Sequence, residues 1–317
     1  MAKLPIIIDC DPGQDDAIML MMAFANRDTL NILGVVAVGG NVPLDKTARN
    51  ARIICEITGQ TDIPVYAGCA RPLARDLHTA AEVHGNEGMN GVDVYEPEMP
   101  LQKKNGVNFI IDSLRAHNDG EVVLIITGPM TNIAAAFIQA PDIKTKVKEI
   151  VLMGGGMAIC GNVTPSAEYN IYADPHAAEI IYKSGIKTVS MGLDVTHQVL
   201  ASKARIAAMK AIGNKVADTA AAILGPYSFF DSEKYGTDGG PLHDPCTIAY
   251  VLDPSLFQTK LCNLEVETKS ELTLGHTSVD FWHGMPEDER PHNTYWAYGV
   301  DDEGVYDLLN KCLKSYS

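Results

Sequence analysis

Stretches of uninterrupted apolar residues alternate with stretches of helical periodicity along the chain up to residue 193. The apolar stretches lack a regular polar alternation, which is typical of strands buried on both faces of a sheet. We predict six such strands, at residues 5–11, 30–38, 63–67, 122–127, 149–153 and 187–193. Helices are predicted between them, at residues 17–23, 44–57, 107–117, 131–139 and 175–184. This order indicates an α/β fold, with a doubly wound, mostly parallel sheet flanked by helices.

The rest of the chain has a different pattern. The segment 68–104 is rich in Gly, Pro, Asn and Glu without clear periodicity, as expected of a functional or mobile loop. Alternating residues at 263–267, 272–274 and 277–281 predict antiparallel strands. Helical patterns cover 201–230, begin again near Asp244 and close the chain at 308–313. Because no linker or repeat interrupts the pattern, we expect residues 1–317 to form one domain with an added helical region and a C-terminal antiparallel hairpin portion.

Composition and charge exclude several classes of protein. A hydrophobic content of 46% with 21% charged residues is typical of a globular protein with a substantial core. The net charge of −15 argues against binding to nucleic acid or to an anionic membrane surface, and is compatible with a neutral small-molecule substrate. We find no signal-peptide pattern and no membrane-spanning stretch. The seven cysteines are scattered through apolar stretches, which favours reduced thiols and a cytoplasmic location.

Four carboxylates crowd the end of the first predicted strand, at Asp9, Asp11, Asp15 and Asp16. Part of this acid is ordinary capping of the helix that follows. The remainder is too much negative charge for one small volume, unless a cation or a proton is shared. Oxygen ligands without a nearby Cys-x-x-Cys or His pair favour Ca²⁺ or Mg²⁺ over zinc. The cluster therefore indicates a metal site, with simple helix capping as the alternative.

Other candidate residues also follow predicted strands. Asp11, Asn41, Thr127 and Met153 each lie at or just after a carboxyl end, where ligands bind to doubly wound sheets. We therefore expect them to share one crevice. The triple glycine at 154–156 has a similar place, but no Lys-Ser or Lys-Thr follows it, so we interpret it as a tight turn instead of a phosphate loop.

The acidic segment reads Asp-x-Asp-Pro-Gly-x-Asp-Asp-Ala at residues 9–17, and it resembles the signature of the inosine-uridine preferring nucleoside hydrolases. The resemblance covers nearly the whole chain. Its further pieces, in the same order as in the family, are Gly40-Asn41, His84-Gly85, Thr127-Gly128-Pro129-Met130-Thr131-Asn132, Val151-Leu152-Met153-Gly154-Gly155-Gly156, Ala167-Glu168-Tyr169-Asn170-Ile171, Gly192-Leu193-Asp194-Val195-Thr196 and His243-Asp244-Pro245. Each piece is weak alone, but their shared order is specific.

The resemblance implies an N-glycosidase that releases free base and ribose from ribonucleosides. Such cleavage passes through an oxocarbenium-like state and needs a water nucleophile, negative charge near the ribose and a proton for the departing base. By resemblance, Ca²⁺ is bound by Asp11, Asp16, Asp244 and the main-chain carbonyl of Thr127, and Asp11 activates the water on the metal. The resemblance assigns substrate contacts to Asp15 and Asn41 at the ribose hydroxyls, and to Met153, Asn162, Glu168 and Asn170.

The resemblance also implies a leaving-group site. A lone His is usually structural, but His243 stands beside the proposed ligand Asp244, and the ordinary pKa of histidine is near neutrality, so His243 is the candidate acid. His84 is expected near the base, and Tyr235 belongs to an aromatic segment suited to a flat heterocycle. The segment 232–245 looks most like that of the pyrimidine-preferring members, which favours uridine and cytidine. Family resemblance further suggests a homotetramer.

Three alternatives stay open at this point. The chain could be a purine-preferring or non-specific member that accepts both inosine and uridine. It could instead be a Mg²⁺-dependent phosphoryl-transfer enzyme with Asp9 or Asp11 as nucleophile, although Thr or Ser does not follow the acidic pair as such enzymes require. A nucleoside- or sugar-binding protein without turnover is the third alternative. The presence of both a candidate base, Asp11, and a candidate acid, His243, favours an enzyme.

Overall fold

The apolar stretches of the sequence form the strands of a nine-stranded sheet in the computed structural model, which describes residues 2–284, 286 and 289–316. Within one long helix, the side chains of Tyr227, Phe229, Phe230, Asp231, Glu233 and Tyr235 lie outside the description. The strands of the nine-stranded sheet are β1 Leu4–Cys10, β2 Leu30–Ala37, β3 Val65–Ala67, β4 Val122–Ile126, β5 Val147–Met153, β6 Thr188–Met191, β9 Phe257–Val266, β10 Thr277–Asp280 and β11 Thr294–Val300. Two short strands, β7 Leu200–Ala201 and β8 Gly240–Pro241, pair with each other in a separate sheet.

The helices fill the intervals that helical periodicity predicted, with several additions. They are α1 Gln14–Ala25, α2 Leu44–Ile57, α3 Ala81–His84, α4 Gly106–Arg115, α5 Thr131–Gln139, α6 Tyr169–Ala173, α7 Pro175–Tyr182, α8 Leu193–Thr196, α9 Lys203–Lys210, α10 Lys215–Tyr235, α11 Pro245–Leu252 and α12 Asp302–Lys314. Short 3₁₀ helices occupy Pro141–Lys146 and Pro254–Leu256. Within the described ranges, no helix has both the length and the apolar character that crossing a membrane requires.

The main sheet has the order β10-β9-β11-β6-β5-β4-β1-β2-β3. The strands from β11 to β3 are parallel to their neighbours, whereas β9 runs antiparallel to both β10 and β11. Ile6 and Ile8 pack into the core on one face and Ile7 into the core on the other. Burial on both faces explains why the strand sequences lack polar alternation. The predicted α/β fold with a mostly parallel, doubly wound sheet is confirmed.

Some predicted elements are wrong. Residues 272–274 form a turn instead of a strand, and Leu272 is 86% exposed because no neighbouring element covers it. The strand that pairs with β9 in its place is β11, which the sequence pattern did not predict. The helical region 201–230 is interrupted after α9, where Gly213 has a φ of +75° and the Asn214 side chain caps α10. The last helix begins at Asp302, earlier than predicted, because Asp301 caps it.

Candidate active site

The carboxyl ends of the central strands bring four predicted residues to one edge of the sheet. Asp11 follows β1, Asn41 follows β2, Thr127 follows β4, and Met153 ends β5. The Asn41 backbone N–H donates to Asp11 Oδ2 at 2.7 Å. The Asn170 side-chain Nδ2 donates to the carbonyls of Thr127 at 2.8 Å and Met153 at 3.2 Å, and so joins the ends of β4 and β5. The parallel sheet therefore assembles these residues from segments far apart in sequence.

A group of buried carboxylates lies at this edge. Ligand oxygens of Asp15, Asp16 and Asp244 all fall within 4.8 Å of one another. The resemblance predicted Asp11, Asp16 and Asp244 as the carboxylate ligands. In the structure, Asp15 joins Asp16 and Asp244, and Asp11 lies beside this group. Asp16 and Asp244 come from the starts of α1 and α11, at opposite ends of the chain. Their side chains are close enough to share a hydrogen bond.

The carboxylate of Asp11 occupies a cradle that only glycine permits. A Cβ atom built at Gly128 would lie 2.6 Å from Asp11 Oδ1, and one at Gly40 would collide with Oδ2. Oδ1 is buried and, among the residues that the structure describes, has no hydrogen-bond partner. A buried carboxylate oxygen without a partner is costly, so this oxygen is suited to a bound cation.

Burial gives the cluster its electrostatic character. Burial is the largest cause that raises the pKa values of Asp11, Asp16 and Asp244, and neighbouring carboxylates raise those of Asp11 and Asp244 further. Grouped negative charges in a dry site require protons or a cation. The donor set consists of carboxylate and carbonyl oxygens, which is the chemistry of Ca²⁺ and Mg²⁺ sites. The residues present therefore fit a hard divalent cation.

Asp16 also has the structural role of a helix cap. Its Oδ2 accepts a hydrogen bond from the Gly13 backbone N–H at 3.0 Å, ahead of α1. Its Oδ1 accepts from the Thr127 hydroxyl at 2.8 Å. Asp16 therefore both caps a helix and belongs to the acidic group. Thr127 bonds to Asp16 through its hydroxyl, whereas the resemblance assigned a role to the Thr127 carbonyl.

A cavity of about 360 Å³ opens above the acidic group. The predicted site residues that line it are Asp15, Asn41, His84, Thr127, Met153, Asn162, Glu168, Asn170, His243 and Asp244. Residues that sequence reasoning did not assign also line it, namely His78, Ala80, Glu82, Val83, Val163, Tyr169 and Lys234. Several of these residues belong to the segment 68–104. Its lack of periodicity predicted a functional or mobile loop but did not indicate which of its residues line the cavity. The predicted side chain of Tyr235 lies outside the described residues.

The triple glycine forms the tight turn that holds Glu168. Gly155 has a φ of +87°, and its N–H donates to Glu168 Oε2 at 3.0 Å. The N–H of Gly156 donates to the Thr277 hydroxyl at 2.9 Å, so amides that a phosphate loop would present are already bonded. Burial raises the pKa of Glu168 to about 7, against the opposing effect of the backbone N–H groups that it accepts. Nearby, Asn162 Oδ1 accepts from the Tyr169 N–H at 2.9 Å.

Two histidines face the cavity, and each is contacted through Nδ1 by a buried neutral side chain. His243 Nδ1 lies 2.8 Å from the Thr196 hydroxyl, and His84 Nδ1 lies 2.9 Å from Gln14 Oε1. Burial lowers the pKa of His84 to about 4 and, together with His197, lowers that of His243 well below its usual value. Burial therefore disfavours the charged form of both rings. Gln14 and Thr196 fall within matched sequence pieces, but their roles depend on long-range contacts that those pieces do not reveal.

The chain is similar to known proteins over nearly its whole length. The family model described as inosine-uridine preferring nucleoside hydrolase matches residues 6–307. A relative from Shewanella sp. (strain MR-7), named pyrimidine-specific ribonucleoside hydrolase RihA, is 43% identical over 314 residues, which cover 99% of this chain and 97% of the relative. A solved structure named purine-preferring ribonucleoside hydrolase, from Gardnerella vaginalis, has a TM-score of 0.89 at 31% identity and covers 98% of this chain and 99% of its own. A plant nucleoside hydrolase has a TM-score of 0.91 at 30% identity, with 99% of both chains covered.

Proposed function

Because this chain belongs to the inosine-uridine preferring nucleoside hydrolase family, we propose that it hydrolyses ribonucleosides in a Ca²⁺-dependent reaction and prefers uridine and cytidine. The products are the free base and ribose. The observation that carries the proposal is the group of buried carboxylates of Asp15, Asp16 and Asp244, with Asp11 beside it. Asp15 and Asp244 of this group line a cavity large enough for a small ligand.

Asp11, Asp16, Asp244 and the main-chain carbonyl of Thr127 would hold the cation. When bound, the ion lowers the pKa of a water molecule and offers positive charge to the ribose hydroxyls. Asp11 accepts the proton of the attacking water through its carboxylate, which Asn41 orients by a backbone hydrogen bond of 2.7 Å. The unpartnered Oδ1 of Asp11 among the described residues supports this assignment.

Polar side chains around the cavity position the ribose. Asp15 and Asn41 bind the ribose hydroxyls, and Asn162, Glu168 and Asn170 hold the side of the 5′-hydroxyl, while Met153 packs against the sugar. A hydroxyl that loses its water needs a partner, so the contacts of Asp15 and Asn41 select a ribonucleoside over its 2′-deoxy analogue. The negative charge of Asp11 and Asp15 near the sugar also stabilises the oxocarbenium-like state.

His243 assists departure of the base. Its neutral imidazole can donate an N–H hydrogen bond to the base as negative charge develops there, and His84 lies on the same cavity. Burial disfavours a permanently charged imidazolium. The hydrogen bond from the His243 N–H is therefore strongest when the departing base carries negative charge.

The pyrimidine preference is supported by relatives of this chain. Several proteins named pyrimidine-specific are 42–43% identical to it over nearly their whole length. The alternative is a purine-preferring or non-specific enzyme, which the structural neighbour named purine-preferring supports at 31% identity. The hydrolase family membership favours either over phosphoryl transfer or a binding-only protein.

Assembly and location belong to the same proposal. We infer a homotetramer from the family resemblance, and a cytoplasmic location from the cysteines. All seven cysteines are free thiols, as expected of a protein in a reducing compartment.

Reducing-sugar release from a panel of nucleosides tests the proposal. The panel contains uridine, cytidine, inosine, adenosine and their 2′-deoxy analogues, each assayed as purified, after chelation, and after addition of Ca²⁺ or Mg²⁺. We expect release from uridine and cytidine to be fastest, to fall sharply without the 2′-hydroxyl, and to return with Ca²⁺. Activity unaffected by chelation would remove the metal from the proposal, and faster inosine hydrolysis would replace the pyrimidine preference.

A further inference from the structure

The hydroxyl of Thr196 contacts Nδ1 of His243, whose ring lines the cavity. Thr196 ends α8, is 0% exposed, and has its Oγ1 2.8 Å from His243 Nδ1. Among the described residues, this is the hydroxyl's sole hydrogen-bond contact. Valine has nearly the same shape, so packing alone does not call for a hydroxyl at a fully buried position.

Helix α8 is tied to the turn that follows β5. The Leu193 N–H donates to the Gly155 carbonyl at 2.8 Å. The Asp194 carboxylate accepts backbone hydrogen bonds from Met157 at 2.7 Å and Ala158 at 2.8 Å. These bonds fix the short helix beside the turn that follows β5, so the Thr196 hydroxyl has a defined position next to the imidazole.

The available donors and acceptors determine the direction of the hydrogen bond between Thr196 and His243. If His243 carried its proton on Nδ1, that N–H would donate to Thr196, and the buried hydroxyl hydrogen would have no acceptor among the described residues. If the hydroxyl donates to Nδ1, its hydrogen is satisfied, and the neutral ring carries its proton on Nε2. Because the ring lines the cavity and its Nδ1 is occupied, the Nε2–H is the group left for a bound ligand.

We propose that Thr196 is a positioning residue that holds His243 in the tautomer with Nε2–H directed at the nucleoside base. The inference rests on the proposed function, in which His243 assists departure of the base. Thr196 itself does not touch the substrate; it selects which ring nitrogen presents a hydrogen. A ring in the other tautomer would present an unprotonated nitrogen to the base and could not donate to it.

Four single variants, one of them His243→Ala, and one double variant test the proposal in the full-length protein with its metal. Thr196→Val removes the hydroxyl at nearly constant shape, Thr196→Ser retains it, and Thr188→Val removes another buried threonine hydroxyl away from the cavity. Each is assayed on uridine and on p-nitrophenyl riboside, whose leaving group needs no proton. We expect Thr196→Val to lower kcat on uridine about tenfold, with KM little changed and p-nitrophenyl riboside nearly unaffected. Thr196→Ser and Thr188→Val should resemble the wild type.

The double variant His243→Ala/Thr196→Val separates positioning from packing. If Thr196 acts through the imidazole, its substitution should add no further loss once the ring is absent. Nitrogen-15 spectra of the labelled protein provide a second readout, with His243 Nδ1 unprotonated and Nε2 protonated in the wild type and a mixture of tautomers in Thr196→Val. Equal losses on both substrates, additive losses in the double variant, or unchanged nitrogen shifts would each overturn the proposal.

Failure of this proposal is distinguishable from failure of the proposed function. A wild-type protein that releases no ribose from any nucleoside would remove both. A selective loss in His243→Ala without one in Thr196→Val would leave the function standing and remove Thr196 alone.

Discussion

Binding of Ca²⁺ to the metal-free protein at pH 7 should release about one proton. Ligand oxygens of Asp15, Asp16 and Asp244 lie within 4.8 Å of one another. At an effective dielectric constant of about 20, two unit charges at that separation repel by about 3.5 kcal/mol. Neutralising Asp244 removes two of the three repulsions, about 7 kcal/mol in total.

The opposing cost is that of protonating a carboxyl group at neutral pH. For a carboxyl with an ordinary pKa of about 3.9, this cost is about 4 kcal/mol at pH 7. The repulsion is larger than the cost, so the metal-free group retains a proton, in agreement with the direction in which burial and Asp15 shift the pKa of Asp244. A divalent cation replaces that proton because it neutralises the same carboxylates.

Calorimetric titration of the chelated protein with CaCl₂ in HEPES and in Tris measures the effect, since the two buffers differ in ionisation enthalpy. The difference between the two observed binding enthalpies gives the number of protons released. In Asp244→Asn we expect weaker Ca²⁺ binding and little proton release, together with metal-free stability at least equal to that of the wild type. Tight Ca²⁺ binding with no proton release by the wild type would refute the electrostatic reasoning.

Three further predictions concern single side chains. Asp11→Asn should lower ribose release about 10³-fold while the thermal midpoint stays near that of the wild type; the exposed Asp112→Asn is the matched control, and near-normal turnover would remove Asp11 as the base. His243→Ala should slow uridine far more than p-nitrophenyl riboside, and equal losses would count against leaving-group assistance. Glu168→Gln should flatten the pH dependence of stability, because the pKa of Glu168 is raised from 4.5 to about 7 in the folded protein. The contribution of this carboxyl to the free energy of unfolding is complete below pH 4.5, the pKa in the unfolded chain, and is lost as the pH rises through 7. The loss is at most about 1.4 kcal/mol per pH unit. Urea unfolding of both proteins at several pH values measures that slope, and parallel curves would contradict the assignment.

Much of the fold was predicted from patterns of residues that lie close together in the sequence. The apolar run of β1, the turn at Pro12-Gly13 and the acidic start of α1 are encoded by neighbouring residues, because strand burial, turn geometry and helix capping act over a few positions. The same local logic placed Asp11, Asn41, Thr127 and Met153 at strand ends. Parallel strands then bring such ends to one edge without further information.

Local pattern failed where an element depends on its neighbours. Residues 272–274 alternate like a strand but have no partner beside them, whereas β11 becomes a strand because β6 and β9 flank it on both sides. Alternation of apolar and polar residues shows only that a segment is able to form a strand. Whether a neighbouring strand has an unpaired edge for it depends on the whole fold.

The amino-acid sequence was enough to predict the α/β class and the acidic motif and, through family resemblance, to propose which residues bind the metal and the substrate. Three features became visible only in the folded protein: Asp15 joins Asp16 and Asp244 in the tight group, one oxygen of Asp11 lies in a glycine cradle with no hydrogen-bond partner among the described residues, and Thr196 contacts His243. The physical reason is range. Capping, turns and burial patterns act between near neighbours in the chain, whereas charge clustering and hydrogen-bond partnership depend on atoms that only the packed sheet and helices bring within a few ångströms.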